Sequence, residues 1–131
     1  MLNLAYSLAM RDRELIWVGS ALEDLKTFPE EVKDVMGYAL HLAQQGSIHP
    51  DARPLKGYAG ASVLELPVPH DTDTFRVMYT VKLKTAIYVL HAFQKKSKQG
   101  IATPPREVQL IRRRLKYAQE LDAQRHEGGG R

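Results

Sequence analysis

The chain has no cysteine among its 131 residues. That excludes a disulfide framework, a thiolate metal site and a cysteine nucleophile, and it fits a reducing cytoplasm. It also lacks any apolar run near the roughly 18 residues that a membrane span needs, so no membrane partner is expected. The opening "MLNLAYSLAMRDREL" has neither the basic start nor the h-region of a secretory signal. Met10 can itself serve as a start, and residues 1–13 read as a flexible extension. No internal repeat or low-complexity linker divides the rest. One domain is therefore expected over 14–124, followed by a disordered tail over 125–131 that contains "EGGG". The nearest approach to a metal motif is "HDTD" (70–73), which reads as a turn between strands. No metal and no cofactor is expected.

One more scarcity is local. Residues 93–117 hold a single Glu against eight Lys and Arg, a net +7, although the whole chain carries only +4. Residues 1–92 sum to −2 and residues 118–131 to −1. Crowded like charges repel unless something neutralises them, so this stretch points to a polyanion or an acidic protein as partner. A solvated basic helix face is the bland alternative.

The order of elements follows from periodicity. "ELIWVGS" (14–20) reads as a strand, and Ser20 with Glu23 makes a capping-box pattern for a short helix. Pro29, Glu30 and Glu31 suit the first turn of a second helix, in which Val32, Val35, Met36, Ala39, Leu40 and Ala43 recur at helical spacing. Gly46 should stop it. Residues 47–61 lose periodicity and read as a loop. Three strands follow. "SVLELPV" contains Pro67, with Pro69 just beyond, so it should lie at an edge or end early. "TFRVMYTVK" puts Phe75, Val77, Tyr79 and Val81 on one face and Arg76, Met78 and Thr80 on the other. "TAIYVLHAF" is apolar on both sides, as a central strand would be. Thr103, Pro104 and Pro105 open a last helix with an inward stripe of Val108, Ile111, Leu115 and Ala118. The expected fold class is α+β: a small antiparallel-rich twisted sheet with an N-terminal helical hairpin and a C-terminal helix, in the order β-α-α-β-β-β-α.

A turn centred on Lys84 would set Arg76 opposite Ala92, leaning toward Gln94 and Lys96. Arg76 would then stand beside the strand end from which Lys95, Lys96 and Lys98 emerge. Such a cluster, with no paired carboxylate, is suited to hold phosphate: Arg grips with a planar fork and Lys supplies a point charge. On RNA the same groups would favour in-line attack of a 2′-hydroxyl on its own phosphate, by stabilising the charge that develops. His91 could exchange protons near neutral pH, but inside an apolar strand it reads first as a hydrogen-bonded core residue. Tyr79, on the face opposite Arg76, also reads as core. Lys56 sits in a loop between Pro54 and Gly57 and by itself reads as a surface lysine.

Taken in order, "RPLKGYAGASVLEL", "DTFRVMYTV", "YVLHAFQKKSK" and "TPPREVQLIRRRL" resemble the phage-derived, HigB-like branch of the RelE/ParE toxin superfamily, over roughly residues 14–118. The resemblance implies a RelE-like domain and a toxin of a type II toxin–antitoxin system. It implies a metal-independent, ribosome-dependent mRNA endonuclease that leaves a 2′,3′-cyclic phosphate. Arg76, Lys95 and Lys96 would be catalytic, and Lys56, Lys98, Arg106 and Arg113 would bind RNA. The implied partners are mRNA on the ribosome and a cognate helix-turn-helix antitoxin, in the cytoplasm. A ParE-like binding inhibitor of DNA gyrase, or a catalytically weak antitoxin-bound regulator, is the alternative. The chain departs from the RelE-like pattern at two places. Pro67 stands where Glu-Leu-Arg would end, and no tyrosine matches in the segment after the last strand.

Overall fold

A five-stranded sheet in the order β1-β5-β4-β3-β2 is the frame on which the rest is hung. The computed structural model describes residues 12–58, 63–96 and 103–129, with Lys96 and Gly129 described by their backbone alone. The elements are β1 (Glu14–Trp17), α1 (Ala21–Lys26), α2 (Glu30–Gln44), β2 (Arg53–Pro54), β3 (Val63–His70), β4 (Asp73–Thr80), β5 (Ala86–Lys96) and α3 (Pro105–Gly129). The fold is α+β, in the expected order apart from one addition. The loop expected over 47–61 contains the two-residue strand β2, which pairs Arg53 with Glu65 and Pro54 with Leu64. β1 runs parallel to β5, and the other pairs are antiparallel.

Each face of the sheet has its own core. Leu64, Leu66, Val68, Phe75, Val77, Tyr79 and Val89 pack under α1 and α2 with Val32, Met36 and Leu40. Val63, Met78, Tyr88, Leu90 and Phe93 pack under α3 with Ile111, Leu115 and Ala118. β5 is apolar on both sides because it is covered on both sides. β2 covers only Leu64 and Glu65, so Pro67 and Pro69 lie beyond it, where β3 has no neighbour on that side. Proline's missing N–H is harmless there. "HDTD" closes a two-residue hairpin turn, with His70 paired to Asp73 and Asp71 at φ 55°. Asp is one of the few residues that tolerate that left-handed backbone.

Helix ends follow local chemistry, with one correction. α2 ends on Gly46 at φ 87°, and the Ser47 N–H returns to the Leu42 carbonyl at 2.8 Å. α1 begins after Ser20, but no capping box forms. The Ser20 hydroxyl instead donates to Asp24 (2.8 Å) and accepts from the Arg114 guanidinium (3.1 Å). The N-terminus of α1 is thus tied to α3 rather than to its own first turn.

The expected register of β4 on β5 holds only at the turn end. Thr80 pairs with Tyr88 and Tyr79 with Val89, as a centre at Lys84 requires. A bulge then leaves Leu90 without an opposite number, and Arg76 pairs with Phe93, not with Ala92. Slippage by one residue exchanges faces. Arg76 therefore shares its face with Phe93 and Lys95, and Gln94 falls on the other side.

Two arginines near the expected boundaries at 13 and 124 are tied into the described domain. The Arg13 guanidinium donates to the carbonyls of Val81 (2.8 Å), Leu83 (2.5 Å) and Ala86 (3.2 Å). α3 continues to Gly129. Arg125, past the expected boundary, donates to Glu14 at 2.6 Å and to the Thr85 hydroxyl at 3.0 Å. Among the described residues no helix is long and apolar enough to cross a membrane.

Candidate functional site

On the α3 side of the sheet, beyond the cover of the helix, lies a cavity of about 580 Å³. Its floor is Glu65 of β3 and Arg76 of β4. Its walls are Arg53 and Lys56 on one side and Thr103 and Val108 at the start of α3 on the other. The loop wall is pinned to the helix: the Tyr58 hydroxyl donates to the Val108 carbonyl at 3.1 Å, and the Arg112 guanidinium lies over the Tyr58 ring at 5.3 Å.

The charges in this cavity are organised around one carboxylate. Glu65 is buried and forms an ion pair with Nη1 of Arg76, while Arg53 Nε stands 3.5 Å from its other oxygen. The expectation of a cation cluster with no paired carboxylate is thereby corrected. Glu65 lies two residues from Pro67, which pairs with Arg76, so alternation puts both side chains on one face. Arg76 Nε is buried and meets no acceptor among the described residues. An unmet buried N–H costs about 1–3 kcal/mol.

Lys95 stands on the same face and is only 5 % exposed. Burial, then repulsion from Arg76, push its pKa below the ordinary lysine value, with Glu65 acting in the opposite sense. A lysine shifted in that direction gives up its proton more readily than a surface lysine does.

Of the residues the sequence proposed, the fold brings Arg76 and Lys95 within electrostatic reach of each other, and Arg76 and Lys56 line the cavity while Lys95 does not. Lys96 ends β5, paired with Asp73 across the ladder, and its side chain lies outside the described residues. Lys98 also lies outside them. Arg106 is exposed in the first turn of α3. Arg113 does not join the cavity; it lines a separate groove on the far side of α3. Glu65 and Arg53 were not among the proposed residues. The available signal was an acid alone in the apolar strand "VLELPV", at the alternation that matches Arg76.

His91 and Tyr79 are both buried, as their core readings require. His91 Nε2 lies 2.5 Å from Glu107, its Nδ1 lies 3.4 Å from the Arg114 guanidinium, and its ring stacks on Phe93 at 5.2 Å. These contacts fit the tautomer with its proton on Nε2 and fasten the first turn of α3 to β5. His91 does not line the cavity.

A small α+β domain with an arginine–glutamate pair at the floor of a cation-lined cavity is the class that the geometry defines. A family model matches residues 23–116, and the chain belongs to that family, described as "Phage derived protein Gp49-like (DUF891)". The family is related to the RelE/HigB-like toxins. No curated protein and no solved structure matches the chain.

Proposed function

We propose that this chain is the toxin of a type II toxin–antitoxin pair and cleaves mRNA on the ribosome. The observation that carries the reading is Arg76. One nitrogen of its guanidinium holds the Glu65 carboxylate, while Nε has no acceptor among the described residues. A phosphodiester oxygen held where the guanidinium lines the cavity would sit beside that carboxylate, where the ribose 2′-hydroxyl must lose its proton.

In this mechanism Glu65 takes the proton of the 2′-hydroxyl. The 2′-oxygen then bonds to phosphorus, and the bond from phosphorus to the 5′-oxygen breaks. Lys95 gives its proton to that leaving oxygen, and solvent later returns a proton from Glu65 to Lys95. The products are a 2′,3′-cyclic phosphate and a free 5′-hydroxyl. Arg76 stabilises the negative charge that develops on phosphorus, the kind of effect worth about 10²–10³ in rate. A positioned base or acid adds about 10²–10⁴. Lys56 and Arg53 hold the flanking backbone, and Lys96, Lys98 and Arg106 extend the positive field. The family relation and the +7 stretch support an RNA target. The expected partner is a helix-turn-helix antitoxin in the cytoplasm.

Purified protein incubated with translating ribosomes should yield RNA ends that carry cyclic phosphate, with chelator present or absent. Arg76→Ala and Glu65→Gln should each lower the yield at least about a hundredfold, with circular dichroism unchanged. Identical RNA ends from wild type and both variants would refute the reading. Inhibition of DNA supercoiling without RNA cleavage would replace it with a gyrase-binding toxin.

A further inference from the structure

β1 lies at one edge of the sheet, and β5 is its one neighbour among the described strands. The register fixes which backbone groups that neighbour uses. Trp17 stands opposite Val89, and the Val18 N–H donates to the Val89 carbonyl at 2.9 Å. In a parallel ladder this pattern turns the groups of Ile16 and Val18 toward β5 and those of Leu15 and Trp17 away from the sheet. Among the described residues no hydrogen bond reaches these outward groups. An edge in that state is a template for another strand.

Beside the edge, on the α3 side, runs a groove of about 480 Å³. The helix contributes Leu110, Arg114, Tyr117 and Leu121, a stripe that flanks the buried stripe of Ile111, Leu115 and Ala118. Tyr117 is 55 % exposed, so a large ring stands there without cover. The strand contributes Ile16, whereas the Leu15 and Trp17 side chains alternate to the other face and pack with the core under α1 and α2. The groove therefore has an apolar helix wall on one side and a hydrogen-bonding strand on the other. An extended chain satisfies both, because its backbone continues the ladder while every second side chain enters the groove.

Charge selects the occupant. Arg113 and Arg114 are the charged residues that line the groove among the described residues. Arg114 is committed to the fold: it donates to the Leu90 carbonyl at 3.0 Å and to the Ser20 hydroxyl at 3.1 Å. Burial lowers its pKa, Asp24 and Glu107 oppose that shift, and Arg113 adds to it. Arg113 is exposed and forms no ion pair among the described residues. A carboxylate here neutralises Arg113 and relieves Arg114. A second copy of the chain, pairing β1 with β1, does the opposite, because the two-fold axis brings two basic α3 helices to the same side of one sheet.

We propose that the β1 edge and this groove form a docking site for an extended, acidic segment of a partner protein, which adds a sixth strand to the sheet. Its apolar side chains rest on Ile16, Tyr117 and Leu121, and a carboxylate meets Arg113. The groove lies on the flank of α3 away from the Arg76 cavity, so it takes a partner without filling that cavity. The proposal stands whether or not the chain cleaves RNA.

A fluorescein-labelled peptide, Thr-Val-Thr-Glu-Thr-Leu-Thr-Glu, is the probe. At saturation it should slow hydrogen exchange at the Leu15 and Trp17 amides by about tenfold or more. Tyr117→Ala and Arg113→Glu, both at exposed positions, should each weaken its binding about tenfold. The same peptide N-methylated throughout, or carrying lysine for glutamate, should bind at least about tenfold more weakly than the parent. Failure of the peptide to protect the two amides, equal affinity for either analogue, or unaltered binding by Tyr117→Ala overturns the proposal. So does slow exchange at both amides before peptide is added, which would mean that the edge is already paired. Protection that grows with protein concentration alone would assign the edge to a second copy. Protection by a 2′-O-methyl hexanucleotide but not by the peptide would make the groove a nucleic-acid site. Either result overturns the proposal as well.

Discussion

The hydroxyl of Tyr79 has no hydrogen-bond partner among the described residues, although the residue is fully buried in the core under α1 and α2. A phenol stripped of water without a replacement partner is a destabilising group, so Tyr79→Phe should leave stability unchanged or raise it by roughly 1 kcal/mol. Burial also pushes its pKa from 10.0 up to about 12. The folded state therefore favours the protonated phenol. Its contribution is complete below pH 10 and is lost as pH rises through about 12, because the unfolded chain ionises first. Urea melts across that alkaline window should show a steeper loss in wild type than in Tyr79→Phe, and equal slopes would exclude this assignment. Polar satisfaction of this kind is not readable from a strand pattern. Alternation in "TFRVMYTV" gives the face of Tyr79 and of Arg76, but not whether a donor or acceptor waits there. The same gap hid the role of Glu65. Its face was available from alternation, but its partner required knowing which residue of β4 stands beside it.

Between elements, the turn that joins β4 to β5 is held from two sides. Arg13 takes three of its carbonyls, and Asp122 of α3 takes its N–H groups at Lys84 and Thr85, each at 2.7 Å. Asp122 also accepts from the hydroxyls of Thr85 (2.5 Å) and Tyr88 (3.1 Å). Burial alone would raise its pKa, but these hydrogen bonds outweigh it and hold the carboxyl below the ordinary value of 3.8. A depressed folded pKa means stability that is present above the unfolded pKa and lost as pH falls through the folded one. Wild type should thus lose stability below about pH 4. Asp122→Asn should be less stable at pH 7 by about 1–3 kcal/mol and flatter with acid. Denaturant midpoints from pH 7 to pH 2 check both, and parallel acid profiles would refute the role of Asp122. Why the sequence yields the helices and strands but not this clamp is a matter of range. The stripe of Ile111, Leu115 and Ala118 is a local period, whereas Asp122 meets Thr85 across 37 residues. The bulge at Leu90 is equally non-local in its effect: nothing in "YVLHAF" announces it, yet it decides that Lys95 shares the face of Arg76.

At the scale of the whole molecule the two helical layers carry opposite charge. α1 and α2 hold five acids against two bases, and the first half of α3, residues 105–117, holds five bases against one acid. These layers cover opposite faces of the sheet, so the net +4 conceals a strong polarity. A polyanion approaching such a body is drawn to one face only, and at physiological salt the field reaches about 8 Å. If that polarity governs encounter, the position of a charge matters more than the sum. Lys116→Glu, on exposed α3, should slow association with RNA several-fold at low salt. Asp34→Lys, on exposed α2, raises the net charge as much as the first change lowers it, yet it should alter the rate less than about twofold. Stopped-flow fluorescence of an end-labelled RNA over a range of ionic strengths measures both. If Asp34→Lys accelerates binding as much as Lys116→Glu slows it, total charge suffices and the basic face has no directing role. If only Lys116→Glu acts, and its effect fades as salt rises, the α3 side of the sheet is where RNA arrives, the side on which the Arg76 cavity lies.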